Sequence, residues 1–118
     1  MEKRIPIPTS KNTFFRQYLE YLNPVLRLRG KELDVLSELL YHNDDLKSIP
    51  TEYRWKVIFE HDIKMKIVSK LKISEATLNN NFSALRKRKI LVENRIINTL
   101  LIYPDDSTKI IFDFKFSK

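Results

Sequence analysis

Thr77, Asn79, Asn80 and Ser83 fall within one helix-length stretch, and the run Arg86-Lys87-Arg88-Lys89 follows them directly. An Asn amide can make a paired hydrogen bond to an adenine edge, small hydroxyl side chains let a helix approach base edges, and Lys or Arg neutralises phosphates. At helical spacing Ala76, Asn79, Asn80, Ser83 and Lys87 share one side, with Thr77 on its shoulder. That surface is suited to a groove of double-stranded DNA. Thr77, Asn79, Asn80 and Ser83 would read bases, while Lys70, Lys72, Arg86, Lys87, Arg88 and Lys89 would hold phosphates. The plainer account of Arg86 to Lys89 is a polar last helical turn, where cations suit the helix dipole anyway.

Two predicted helices position these residues. Before the turn at Lys72-Ile73-Ser74, Ile63, Ile67 and Leu71 recur every four residues on a helix that Asp62 can cap. After it, Ser74 is a good N-cap, Glu75 suits the first turn, and Leu78, Phe82 and Leu85 form a second apolar stripe. The stripes must share a core. From Asp62 to Val92 eight cations meet only Asp62 and Glu75, a surplus of six in a chain whose total is +7. Basic residues are otherwise balanced by acidic ones, so the excess is a patch, which is what an anionic partner requires.

The pattern Ile67-Val68, Leu71, Ile73-Ser74, then Thr77-Leu78, Phe82, Leu85-Arg86-Lys87 and Ile90-Leu91-Val92 resembles the helix-turn-helix of winged-helix DNA-binding proteins, such as MarR-like regulators and plasmid or phage replication initiators. The resemblance covers about half the chain, from Asp62 onward. It implies a recognition helix after the turn and a basic segment leading into a two-stranded wing. Those families usually carry Gly in the turn and after the recognition helix, where this sequence has Lys72 and Lys89. Gly reaches positive φ without steric cost, so Lys there implies a small strain or a different local geometry.

The remaining chain fits one domain, mainly α with a C-terminal β-hairpin, the winged helix-turn-helix class. At 118 residues it can bury one core but not two. Residues 1–11, with Pro6 and Pro8, read as an extended arm, and 12–118 as the domain, with the helix-turn-helix over 62–89 and the wing over 94–116. Asn12 to Leu22 reads as a helix ended by Pro24; its Phe14, Phe15 and Tyr18 suit a core slightly better than the seam of a homodimer. Arg29 to Tyr41 is a clear helix starting near Gly30. His42 to Pro50 reads as a solvated loop, since His42, Asp44 and Asp45 lack a second His at ligand spacing and imply no metal. Thr51 to Glu60 fits a strand or a helix, helix being favoured, with Trp55 as a core anchor. Arg95 to Tyr103 and Thr108 to Phe116 alternate as strands around Pro104-Asp105-Asp106-Ser107. The acidic tip should stay out of the minor groove, leaving Arg95 and Lys109 as phosphate candidates.

Catalysis finds little support, with two His, no Cys and one Gly, no phosphate loop and no nucleophile motif. No cofactor is implied. No apolar run approaches the ~18 residues of a membrane span, and the absence of Cys suits a reducing cytoplasm, with a virion as another setting. The expected function is a sequence-specific double-stranded DNA-binding protein, most simply a transcriptional regulator. The alternative is a winged-helix protein-interaction or structural module in a replication, packaging or virion assembly.

Overall fold

The computed structural model describes residues 1–117. Among them the chain forms five helices, α1 (Lys11–Leu26), α2 (Gly30–Asp45), α3 (Thr51–Ile58), α4 (His61–Leu71) and α5 (Glu75–Lys87), then strands β1 (Leu91–Val92) and β2 (Arg95–Ile96). A short 3-10 turn over Asn98–Leu100 follows. Residues 1–10 are exposed and carry no regular structure. No helix is long and apolar enough to cross a membrane, among the described residues.

Helix α2 is the spine. Its Val35, Leu36, Leu39 and Leu40 are buried, as are Phe15, Tyr18 and Leu19 of α1, Trp55 and Ile58 of α3, Ile63 and Ile67 of α4, and Leu78, Phe82 and Leu85 of α5. The apolar stripes of the two later helices thus converge on one interior, as facing amphipathic helices must. Fully burying one of these Leu or Ile side chains contributes roughly 1.5–3 kcal/mol. Tyr18 donates its hydroxyl to the Leu100 carbonyl at 3.1 Å, and burial pushes its pKa up. The stripe of Phe14, Phe15 and Tyr18 serves the core: Phe15 and Tyr18 are buried and Phe14 packs against them.

Helix boundaries depart from the sequence expectation where local signals competed with packing. Helix α1 continues through Pro24 to Leu26, at the loss of the amide that would donate to the Glu20 carbonyl. Helix α2 runs on to Asp45, so His42, Asn43 and Asp44 are buried helical residues rather than a solvated loop. Glu60, not Asp62, occupies the N-cap of α4, and Asp62 sits in its first turn. The segment around Trp55 is helical, with Trp55 buried.

The larger correction concerns the hairpin. It lies at Leu91–Ile96, pairing Leu91 with Ile96 and Val92 with Arg95, not over 94–116. Glu93 and Asn94 form its turn, with φ of 53° and 56°, the doubly left-handed geometry that matches strand twist. From Leu101 to Ser117 no strand forms, and Ile111, Phe114 and Phe116 are 83%, 83% and 95% exposed. Alternation in Thr108 to Phe116 specified a strand's faces but supplied no neighbour to pair with, and backbone pairing is what makes a strand. Among the described residues a long acidic-tipped wing is thus absent.

Candidate nucleic-acid interface

Helix α5 starts where its sequence says it should. Ser74 accepts a hydrogen bond from the Thr77 amide at 3.0 Å and donates to the Thr77 hydroxyl at 2.9 Å. Capping of this kind is worth about 1 kcal/mol. It also engages Thr77, which is half-buried, so of the four expected base-reading residues this one serves the helix. Asn79, Asn80 and Ser83 are exposed, together with Ala76 and Lys87. With Leu78, Phe82 and Leu85 turned inward, the amide-bearing face is turned outward. Asn81, beside them in sequence, instead donates back to the Thr77 carbonyl at 2.9 Å.

The two lysines that stand where related motifs carry Gly do adopt the left-handed conformation. Lys72 has φ 55° and Lys89 φ 59°. In each case the next amide reaches back across the helix end, Ile73 to the Val68 carbonyl at 3.2 Å and Ile90 to the Leu85 carbonyl at 3.0 Å. These are Schellman closures with Lys in the glycine position, which costs on the order of 1–2 kcal/mol each. Of the alternatives the sequence left open, strain is the one realised. Both cations are exposed at the two ends of α5.

The expected phosphate residues separate into two groups. Lys70 forms an ion pair with the buried Glu38 at 3.0 Å and lies 5.0 Å from the Tyr41 ring centre. Lys66 lines the same shallow cleft beside His42 and Asp45. Lys70 is therefore an internal partner, on a different side of α4 from Lys64, whose ammonium sits 6.0 Å from the Phe82 ring. Arg86 lies over that ring too, at 6.0 Å, and donates to the Asn94 side chain in the hairpin turn at 3.0 Å. Arg88 donates to the Leu26 carbonyl at the end of α1, at 3.2 Å. Lys72, Lys87, Lys89 and Arg95 are exposed.

Among the described residues, every ion pair within salt-bridge distance lies between the N-terminus and Lys70. Among the same residues the α5 end has none. Cations without carboxylate partners repel one another and hold a positive potential over the surface they surround. The sequence had no way to exclude Lys70, because Glu38 is remote from it in the chain and adjacent only after folding.

Comparison with protein-family models, with curated proteins and with solved structures found no match.

Proposed function

We propose that the protein binds double-stranded DNA, using the α4–turn–α5 unit as a helix-turn-helix with α5 in the major groove. The observation that carries this reading is one surface: Asn79, Asn80 and Ser83 exposed on α5, bounded by Lys72, Lys87 and Lys89, which have no carboxylate within salt-bridge distance among the described residues. A helix with its side chains is about 10–12 Å across and the major groove about 12 Å wide, so α5 fits. Asn79 and Asn80 are the candidates for adenine edges, Ser83 for close approach, and Lys72, Arg86, Lys87, Arg88, Lys89 and Arg95 for phosphates. Used in this way the protein is a sequence-specific regulator of the winged-helix kind with a very short hairpin.

The test is selection of bound sequences from a random duplex pool, followed by anisotropy on the selected site. Asn80→Ala should cost about 1–3 kcal/mol on that site and little on unrelated duplex. Equal loss on both, or no enrichment of any sequence, would remove base reading from α5.

A second reading rests on the C-terminal segment, where Ile111, Phe112, Phe114 and Phe116 are exposed. Apolar side chains on a segment without a strand partner among the described residues suit strand addition to another protein, the interaction-module alternative. Deleting the segment after Pro104 should then abolish that association and leave DNA binding intact.

A further inference from the structure

The two flanks of α5 are not equally accounted for. On one side stand Arg86 and Lys64, both over Phe82, with Arg86 tied to the hairpin. Arg88 is two residues further along, about 200° around the axis from Arg86, and it reaches the opposite side. Its guanidinium meets the Leu26 carbonyl where α1 ends, which brings the α1–α2 corner, Arg27-Leu28-Arg29-Gly30-Lys31, alongside α5. The corner lies far from the basic run in sequence.

That corner is built firmly. Arg27 takes the left-handed conformation at φ 56°. The Asn23 side chain accepts from the Leu28 amide at 2.8 Å and donates to the Leu28 carbonyl at 3.2 Å. The Arg29 amide donates to the Glu32 carboxylate at 2.8 Å. Leu28 is buried while Arg27, Arg29 and Lys31 are exposed, so the backbone turns the apolar residue in and the cations out. The acids nearby are engaged: Glu32 is buried against the helix start, and Asp34 pairs with Arg16 at 2.8 Å. The N-terminal end of α2 adds positive partial charge to the same place.

Resting on the DNA-binding reading above, we infer that Arg27, Arg29 and Lys31 hold the sugar-phosphate backbone on the α1 side of the groove that α5 enters. Lys64, Arg86 and the hairpin face the backbone on the other side. A helix lying in a major groove has a phosphate strand along each rim, and cations on both flanks neutralise both. Arg88 links the two parts of the surface by fixing α5 against α1.

The experiment uses the full chain carrying Arg27→Asn, Arg29→Ser and Lys31→Gln, with anisotropy on duplex DNA across a range of salt. Asn tolerates the left-handed position and Ser suits an N-cap, so the fold is retained; thermal melting checks this. The slope of log K against log salt should flatten by about 0.9 for each cation in contact. A companion variant, Arg27→Lys with Arg29→Lys, should keep the wild-type slope. An unchanged slope in the triple variant, with tight binding, would overturn the corner assignment and leave the α5 reading standing. Wild-type protein that binds no duplex at low salt would overturn both, and is distinguished by failing before any variant is made.

Discussion

The α1–α2 pair and the α5 end of this molecule use the same cationic side chains for opposite purposes. In the first region Lys11 meets Asp44 and Asp45, Arg16 meets Glu20 and Asp34, and Lys47 meets Asp44. Lys70 extends the pattern by meeting Glu38. In the second, Lys72, Lys87, Lys89 and Arg95 meet no carboxylate among the described residues, and Arg86 and Arg88 bond only to neutral oxygens. A lysine count along the chain therefore overstates the unpaired positive charge on α4 and understates it at the α1–α2 corner. What matters is where folding leaves acids within reach.

The largest effect separating the regions should come from Arg54, a buried cation that serves structure alone. Its guanidinium donates to the Ile49 and Lys47 carbonyls, to the Asn43 side chain and to the Tyr103 hydroxyl, at 2.9 to 3.0 Å. Arg54→Met leaves the buried Asn43 side chain and the part-buried Lys47 and Ile49 carbonyls without this donor and should lower stability by about 3 kcal/mol in urea melts. Lys70→Ala comes next. It strands the buried Glu38 carboxylate, and about 1–3 kcal/mol of stability should go, while the salt slope of DNA binding stays at the wild-type value. A flattened slope would return Lys70 to the phosphate-binding set.

Lys89→Gly should move stability and binding in opposite directions. Relief of the left-handed strain raises unfolding free energy by about 1 kcal/mol, and loss of one phosphate contact reduces the salt slope by about 0.9. If both fall, Lys89 packs in a way that its geometry does not account for.

The smallest effect is a pH dependence on the ion-paired side. Burial pushes the His42 pKa below its ordinary 6.5, reinforced by Lys66 and Lys70 and opposed by Asp45. The folded state thus binds this proton more weakly than the unfolded chain does. The resulting stability is fully present above pH ~6.5 and is lost as pH falls from there through the lower folded value. The melting temperature should drop between pH 7 and pH 5, and His42→Gln should drop less. Parallel pH profiles for the two proteins would assign the acid sensitivity elsewhere.

How much of this was legible in the sequence follows from the range of each interaction. The turn at Lys72-Ile73-Ser74, the Ser74 cap and the outward Asn79, Asn80 and Ser83 all depend on residues within four positions of one another, and all appear in the structure. At Lys72 and Lys89 the local pattern leaves either strain or a different geometry open, and the structure realises the strain. Lys70 with Glu38, Tyr18 with Leu100 and Arg88 with Leu26 join distant segments, and no local pattern carries them. Thr108 to Phe116 shows the converse: a strand-like alternation is local, while strand formation needs a partner from elsewhere. The polar composition of His42 to Asp45 suggests a loop, whereas burial against Lys11, Tyr41 and the next helices stabilises a further helical turn.

Salt titration of duplex binding, comparing Lys87→Ala on α5 with Lys66→Ala on the ion-paired side of α4, tests the central claim most directly. The account predicts a steep fall of log K with log salt, flattened by about 0.9 in Lys87→Ala and unchanged in Lys66→Ala. Equal flattening in both variants, or no binding of duplex at low salt, would contradict it.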